Sequence, residues 1–182
     1  PEDENNEEKV RNLTQVVVNQ IDIISSITKA FSDFANMPVN NDSLIDVVKT
    51  VKYAVDIFPD HIIEFSTNAE EIYYKIDNIY LTRVITNVVK NGIQAIHHQD
   101  KKVKVEIENL EDRFFIKIQD NGNGISEENK ERVFLEYERI KGSKEKGTGL
   151  GLPLAKKLIE RNGGNIWFHS EINKGTTFFL RF

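Results

Sequence analysis

Cysteine is absent from the 182-residue chain. Disulfides and thiolate metal sites are thereby excluded, which suits a reducing compartment. The four histidines, His61, His97, His98 and His169, lack cysteine partners at zinc-ligand spacing. No apolar run approaches the roughly 20 residues that a bilayer-spanning helix needs, and no signal peptide opens the chain. The expectation is a cytoplasmic segment with no membrane contact of its own, whose parent is free to carry membrane segments upstream. Two common phosphate-binding signatures are missing as well. No Gly-Lys-Ser/Thr follows a glycine at P-loop spacing, and no glycine fingerprint follows a first strand in a βαβ unit. There is no internal repeat.

Hydrophobic residues make up 39% and charged residues 29%, enough for one globular core and too apolar for disorder. The formal net charge of −5 makes a nucleic-acid partner improbable unless basic residues cluster. One cluster exists: Arg139, Lys141, Lys144 and Lys146, with only Glu145 among them. Such a run is ordinarily a solvated loop. Its place just before a glycine run points to a different use.

An acidic start is followed by apolar residues at Val10, Leu13, Val17, Ile24, Ile27, Phe31 and Phe34. Steps of three and four mark a heptad-like seam on one long helix, with polar Gln20 filling one slot. Val16, Ile21 and Ile23 widen it, as in a helical bundle. Pro38 ends this helix near Met37. Residues 1–38 are thus set apart from 39–182. A second helix is expected from an N-cap at Asp42 or Ser43 to about Phe58, before Pro59. Short strands follow around Ile62–Ser66 and Tyr73–Ile76, then a helix over Asn78 to His98. Val103, Val105 and Ile107 alternate with charges as a strand, and Phe114–Gln119 is its hairpin partner. A short helix around Glu127–Tyr137, a helix from Leu152 to Arg161 closed by Gly163-Gly164, and strands over Asn165–Ser170 and Thr176–Phe182 complete the pattern. The interleaving with hairpins predicts an α/β two-layer sandwich: a mixed, largely antiparallel sheet with helices on one face, preceded by one long helix.

Six of the ten glycines lie between Asp120 and Gly151. Asp120-Asn121-Gly122-Asn123-Gly124 ends a strand, and Gly147-Thr148-Gly149-Leu150-Gly151 opens a helix. Amides at a helix N-terminus, with its positive dipole end, form an anion site, and glycine lets a phosphate come close. Asn87 and Asn91 are four apart, so both amides share one helical face. Paired asparagines are usually satisfied core or surface groups. An amide oxygen is nevertheless a suitable hard ligand for magnesium, which takes few protein ligands beside water and phosphate.

Together these segments carry a family resemblance. Asn87-Val-Val-Lys90-Asn91 resembles the N box of sensor histidine kinases. Asp120-Asn121-Gly122-Asn123-Gly124-Ile125 resembles their first glycine box, Val133-Phe134-Leu135-Glu136-Tyr137 the F box, and Gly147-Thr148-Gly149-Leu150-Gly151-Leu152 the second glycine box. They stand in family order, over roughly Asp42 to the C-terminus. The wider group, of the Bergerat ATP-binding fold, includes type II topoisomerases, ninety-kilodalton heat-shock chaperones, mismatch-repair ATPases and anti-sigma kinases. The resemblance implies ATP and Mg2+ as ligands. It implies that Asp120 accepts from the adenine amino group while Gly122 and Gly124 admit the base beside Ile125. Asn91 would ligate magnesium with Asn87 assisting, and Lys90 would lie near the phosphates. Arg139 to Lys146 would be a lid after Tyr137, its Lys141, Lys144 and Lys146 neutralising phosphate. Gly147, Thr148, Gly149, Leu150 and Gly151 would hinge the lid and present amides, and Thr176 would reach adenine through water.

Three departures stand out. Gly92 occupies a position where alanine is usual, and Tyr137 replaces the second phenylalanine of the F box. No histidine stands in a phosphoacceptor context. The helix ending Phe31-Ser32-Asp33-Phe34-Ala35 resembles the second helix of the dimerisation hairpin, so the acceptor histidine is expected on a segment outside this chain. The implied partners are that segment, a second copy through the hairpin, and indirectly a response regulator. No catalytic acid or base is expected here. A topoisomerase- or chaperone-type ATPase would resemble its relatives in placing a glutamate one turn before the metal asparagine; Asn87 stands there instead. A nucleotide-sensing dimerisation module without phosphate transfer is the non-enzymatic alternative.

Overall fold

The computed structural model describes residues 10, 11, 13–18, 20, 21, 24, 28, 43–135 and 149–182. The chain divides into two units, Pro1–Val39 and Asn40–Phe182. In the first unit the described residues are helical, and Thr14 and Thr28 donate back to the Val10 and Ile24 carbonyls four residues earlier. Val10, Leu13, Val17 and Ile24, the described positions of the expected seam, are 52–66% exposed. The seam positions Ile27, Phe31 and Phe34, the flanking Ile23 and the helix end at Met37 lie outside the described residues.

In the second unit the helix expected from an N-cap at Asp42 or Ser43 starts later in the chain. Ser43–Asp46 is a strand, β1, paired antiparallel with β3 (Tyr73–Ile76). The N-cap is Asp46, whose carboxylate accepts from the amides of Val48 and Lys49 and starts α1 (Val47–Val55). Such a cap contributes about 1 kcal/mol. Asp42 lies outside the described residues. β2 (Ile63–Thr67) follows α1, and after β3 comes α2 (Asn78–Ala95). The carboxylate of Asp77 caps α2 by accepting from Ile79 N at 2.8 Å. α2 stops before the expected His98, because Ile96 turns extended and drops its side chain into the core.

β4 (Val103–Asn109) and β5 (Phe114–Asp120) form the expected hairpin. α3 is shorter than expected, Glu127–Lys130; turns follow, and Phe134 packs its ring against Phe168 and Phe178. α4 (Gly151–Arg161), β6 (Asn165–Glu171) and β7 (Gly175–Arg181) complete the unit. The main sheet has the order β2-β4-β5-β7-β6, parallel only between β2 and β4. It is therefore mixed and largely antiparallel.

Strand alternation decides which residues the helices cover. Val103, Val105 and Ile107 of β4, Ile116 and Ile118 of β5, Phe178 and Leu180 of β7, and Ile166 of β6 are all buried. α1, α2 and α4 supply the facing layer with Val51, Tyr80, Leu81, Ile85, Val88, Leu158 and Ile159. Each large side chain buried this completely contributes about 1.5–3 kcal/mol. The opposite phase of the sheet carries charges and three aromatic rings, with Trp167 stacked on Phe179 and edge-on to Phe115.

Candidate functional site

Across β5, β7 and β6 the inner face runs in register. One row is Ile116, Leu180 and Ile166; the next is Ile118, Phe178 and Phe168. The row after that is Asp120, Thr176 and Ser170, three polar side chains at 4%, 4% and 3% exposure. Burying polar groups is costly unless they are hydrogen-bonded, and here they are. One Asp120 oxygen, Oδ1, accepts from Gly122 N at 2.8 Å and from Thr176 N at 3.2 Å. The Ser170 hydroxyl accepts from Ile125 N at 2.8 Å and lies 2.9 Å from the Thr176 hydroxyl. Burial pushes the Asp120 carboxyl above its ordinary range, and the amides of Gly122 and Thr176 partly offset this.

The loop after Asp120 is fixed from three sides. A Cβ on Gly122 would meet the Ala95 carbonyl oxygen at 2.7 Å, so only glycine lets the loop lie on the end of α2. Asn123 N donates to Ala95 O, and Asn173 N, in the β6–β7 turn, donates to Asn123 O at 2.8 Å. On the outer side, Asn121 accepts from Lys102 N and donates to Asp100 O, while His98 Nε2 sits 2.8 Å from Asn121 O.

A second cluster forms where α2 meets α4. The buried stripe of α2 passes through Val84, Val88 and Gly92, and Asn87 and Asn91 flank it half-buried. Asn87 Nδ2 donates to Gly151 O at 3.3 Å. A Cβ on Gly151 would stand 3.6 Å from Asn91 Nδ2 and 3.8 Å from Asn87 Cγ. The asparagine pair therefore faces the N-terminus of α4. The N-cap there is Leu150, which has no side-chain cap bond, and Gly149 before it takes a φ of +70°. Among the described residues no side-chain hydrogen bond satisfies Asn91. An amide left in this state beside a helix's positive end fits a hard cation bridged to an anion. Among the described residues no group of three or more His, Asp or Glu is arranged to hold a metal. Gly92 joins the two clusters: a Cβ there would meet Asp120 Cβ at 3.2 Å and Oδ2 at 3.6 Å.

Asp120, Gly122, Gly124, Ile125 and Thr176 are thus assembled at one end of the sheet, and Asn87, Asn91, Gly149, Leu150 and Gly151 beside it. Lys90 is exposed next to Asn91. Tyr137, Lys141, Lys144, Lys146, Gly147 and Thr148 lie outside the described residues. Sequence reasoning missed Ser170. Its signal was phase: in β6 the even positions Ile166 and Phe168 point inward, so a serine at 170 interrupts an apolar face. It also missed Gly175, whose φ of +101° and place 1.9 Å (for a Cβ) from the Asp120 carbonyl oxygen admit only glycine.

The arrangement places a buried carboxylate beside a glycine loop, and next to it the N-terminus of α4 faced by the side-chain amides of Asn87 and Asn91. Such an arrangement has the chemistry to take a base at one end and phosphates at the other. Comparison with known proteins gives the family. The profile of the histidine kinase-, DNA gyrase B- and HSP90-like ATPases matches residues 76–182. The phytochrome-like protein Cph1 of Synechocystis is 38% identical over 105 residues, 57% of this chain and 14% of its own. The signal transduction histidine-protein kinase ArlS of Staphylococcus aureus is 28% identical over 178 residues, 96% of this chain and 39% of its own. The catalytic domain of histidine kinase ThkA superposes with a TM-score of 0.67 at 25% identity, covering 78% of this chain and 94% of that one. The chain spans less than half the length of these two curated relatives. Residues 76–182 contain both clusters, and the chain belongs to the histidine kinase-, DNA gyrase B- and HSP90-like ATPase family of nucleotide-binding domains.

Proposed function

We propose that this chain is the ATP-holding catalytic half of a sensor histidine kinase. It would pass the γ-phosphoryl group of ATP to a histidine on a segment outside the chain, as part of two-component signalling. The observation that carries the proposal is the junction of the two clusters at Gly92, which sets Asp120, at the end of β5, against α2 at the position next to Asn91. Asp120, with Oδ1 already held by two amides, keeps its other oxygen for the adenine amino group. Gly122, Gly124 and Ile125 border the base. The N-terminus of α4, through Gly149, Leu150 and Gly151, takes the phosphates. Asn91, helped by Asn87, would hold Mg2+, which when bound supplies charge neutralisation for the phosphates. Lys90 and the lid lysines Lys141, Lys144 and Lys146 would add positive charge.

Phosphoryl transfer depends chiefly on positioning and charge neutralisation. The bond from the γ-phosphorus to the bridging oxygen breaks, a nitrogen–phosphorus bond forms, and ADP leaves. A base for the histidine would come with the acceptor segment. Asn87 occupies the place at which a water-activating glutamate would mark a hydrolase, which favours transfer over hydrolysis. Residues 1–38 would serve as the second helix of a dimerisation hairpin, with a second copy and the acceptor helix as partners and a response regulator downstream. The test is labelling in trans. With γ-labelled ATP this chain alone should form no acid-labile phosphohistidine, whereas adding an acceptor-hairpin fragment should restore labelling. Self-labelling at His61, His97, His98 or His169, or no transfer to the fragment despite ATP binding, would refute the proposal.

A further inference from the structure

Beyond the nucleotide itself, the polar row contains a residue that no ligand needs to touch. Ser170 is buried on β6, directly opposite Thr176 in register. Its hydroxyl makes three contacts: Ile125 N at 2.8 Å, Gly175 O at 3.1 Å and Thr176 Oγ1 at 2.9 Å. A serine hydroxyl has one proton and two acceptor sites. Ile125 N–H occupies one acceptor site. Gly175 O can only accept, so the single Ser170 proton must point there if that contact is a hydrogen bond. The contact to Thr176 can then be made only with the Thr176 proton. One assignment alone satisfies all three contacts, and it commits the Thr176 proton away from Asp120.

The consequence lies at the neighbouring strand. Thr176 Oγ1 keeps lone pairs and no proton, and Asp120 is a carboxylate beside it. The row then presents acceptors only. We infer that Ser170 is a positioning residue for base selection: by holding the Thr176 proton, it keeps the pocket acceptor-only and so favours a base with an amino group over one with a carbonyl at the same position. This rests on the proposed reading of Asp120 and Thr176 as the residues that face adenine. A site built to receive donors rejects a carbonyl because both sides bring lone pairs and neither is satisfied. Without Ser170, the Thr176 proton is free to rotate and can meet a carbonyl.

The probes are ATP and inosine triphosphate, which differ at C6 by an amino group against a carbonyl and at the adjoining N1 by a bare nitrogen against an N–H. Displacement of a fluorescent nucleotide gives both affinities with the full chain. Wild type should prefer ATP. Ser170→Ala should reduce the preference by about five-fold, the scale of one oriented hydrogen bond, chiefly by improving inosine triphosphate relative to ATP. Thr176→Ser should keep the wild-type ratio. Thr176→Val should lower it by weakening ATP without improving inosine triphosphate, and this pair decides the matter if Ser170→Ala does not fold. Equal weakening of both nucleotides in Ser170→Ala, or a wild-type ratio in Thr176→Val, would overturn the role of Ser170 while leaving ATP binding intact. Equal affinity of wild type for the two nucleotides would overturn the reading of Asp120, and this inference with it.

Discussion

Replacing Gly175 by alanine separates two costs that this fold keeps apart elsewhere. At Gly175 φ is +101°, and an added Cβ would lie 1.9 Å from the Asp120 carbonyl oxygen and 2.9 Å from its carbon. These are backbone atoms of a central strand and cannot swing aside. Gly163, which closes α4, has a φ of +76° but nothing nearer than Tyr74 Oη at 3.9 Å. Gly163→Ala therefore costs only the left-handed backbone, about 1–2 kcal/mol. Gly175→Ala adds displacement of the Asp120 backbone, and overpacking of this kind costs about 1–3 kcal/mol more. At roughly 3 °C per kcal/mol, the first should melt about 3–6 °C below wild type and the second about 6–15 °C below. The clash falls on the residue assigned to adenine, so Gly175→Ala should also lose ATP affinity in protein that remains folded, whereas Gly163→Ala should not. Scanning calorimetry and nucleotide titration of both variants would check this. Equal melting losses, or unchanged ATP affinity in Gly175→Ala, would refute the packing argument.

Asp120→Asn should weaken ATP binding and reduce discrimination against guanine nucleotides, measured by competition. It also has a pH signature. The folded pKa of Asp120 is raised above its ordinary 3.8 by burial, so its contribution to stability is present below that value and lost as pH rises through the folded pKa. The Asn variant should accordingly gain on wild type in melting temperature as pH is raised through the acid range, and a pH-independent difference would contradict the burial argument. Asn91→Ala should reduce Mg-ATP affinity more than metal-free ATP affinity, by titration with and without chelator. Gly92→Ala should raise helix propensity by about 1 kcal/mol yet crowd Asp120; its melting temperature should be no lower than wild type while its ATP affinity falls. A charge at Val17, exposed in this structure, should reduce trans-labelling without affecting ATP binding.

Much of the fold was legible because its signals are local. The apolar spacing of α2 and the alternation in β4, β5, β6 and β7 follow from single-element periodicity, and Gly163-Gly164 ended α4 as expected. β1 was not legible. Ser43-Leu44-Ile45-Asp46 is too short to show alternation, and its partner β3 lies far along the chain, so Asp42 or Ser43 looked like the helix cap. The true cap, Asp46, is recognisable only once pairing fixes the preceding residues as extended. At the site, the asparagine pair and the glycine boxes announced themselves by residue type and order. The contact of Asn87 with Gly151, 64 residues away, is a product of tertiary packing. Ser170 and Gly175 were missed for the same reason: each matters only because the β5–β7–β6 register places it against Asp120 or Thr176.

The claim on which the rest depends is that the two clusters form one ATP site. Its most direct measurement is thermal unfolding of the chain with and without Mg-ATP. At a nucleotide concentration 100 times the Kd, linkage contributes about 2.7 kcal/mol. For a domain of this size that should raise the melting temperature by roughly 5–10 °C. Coincident melting curves at saturating Mg-ATP would contradict the account.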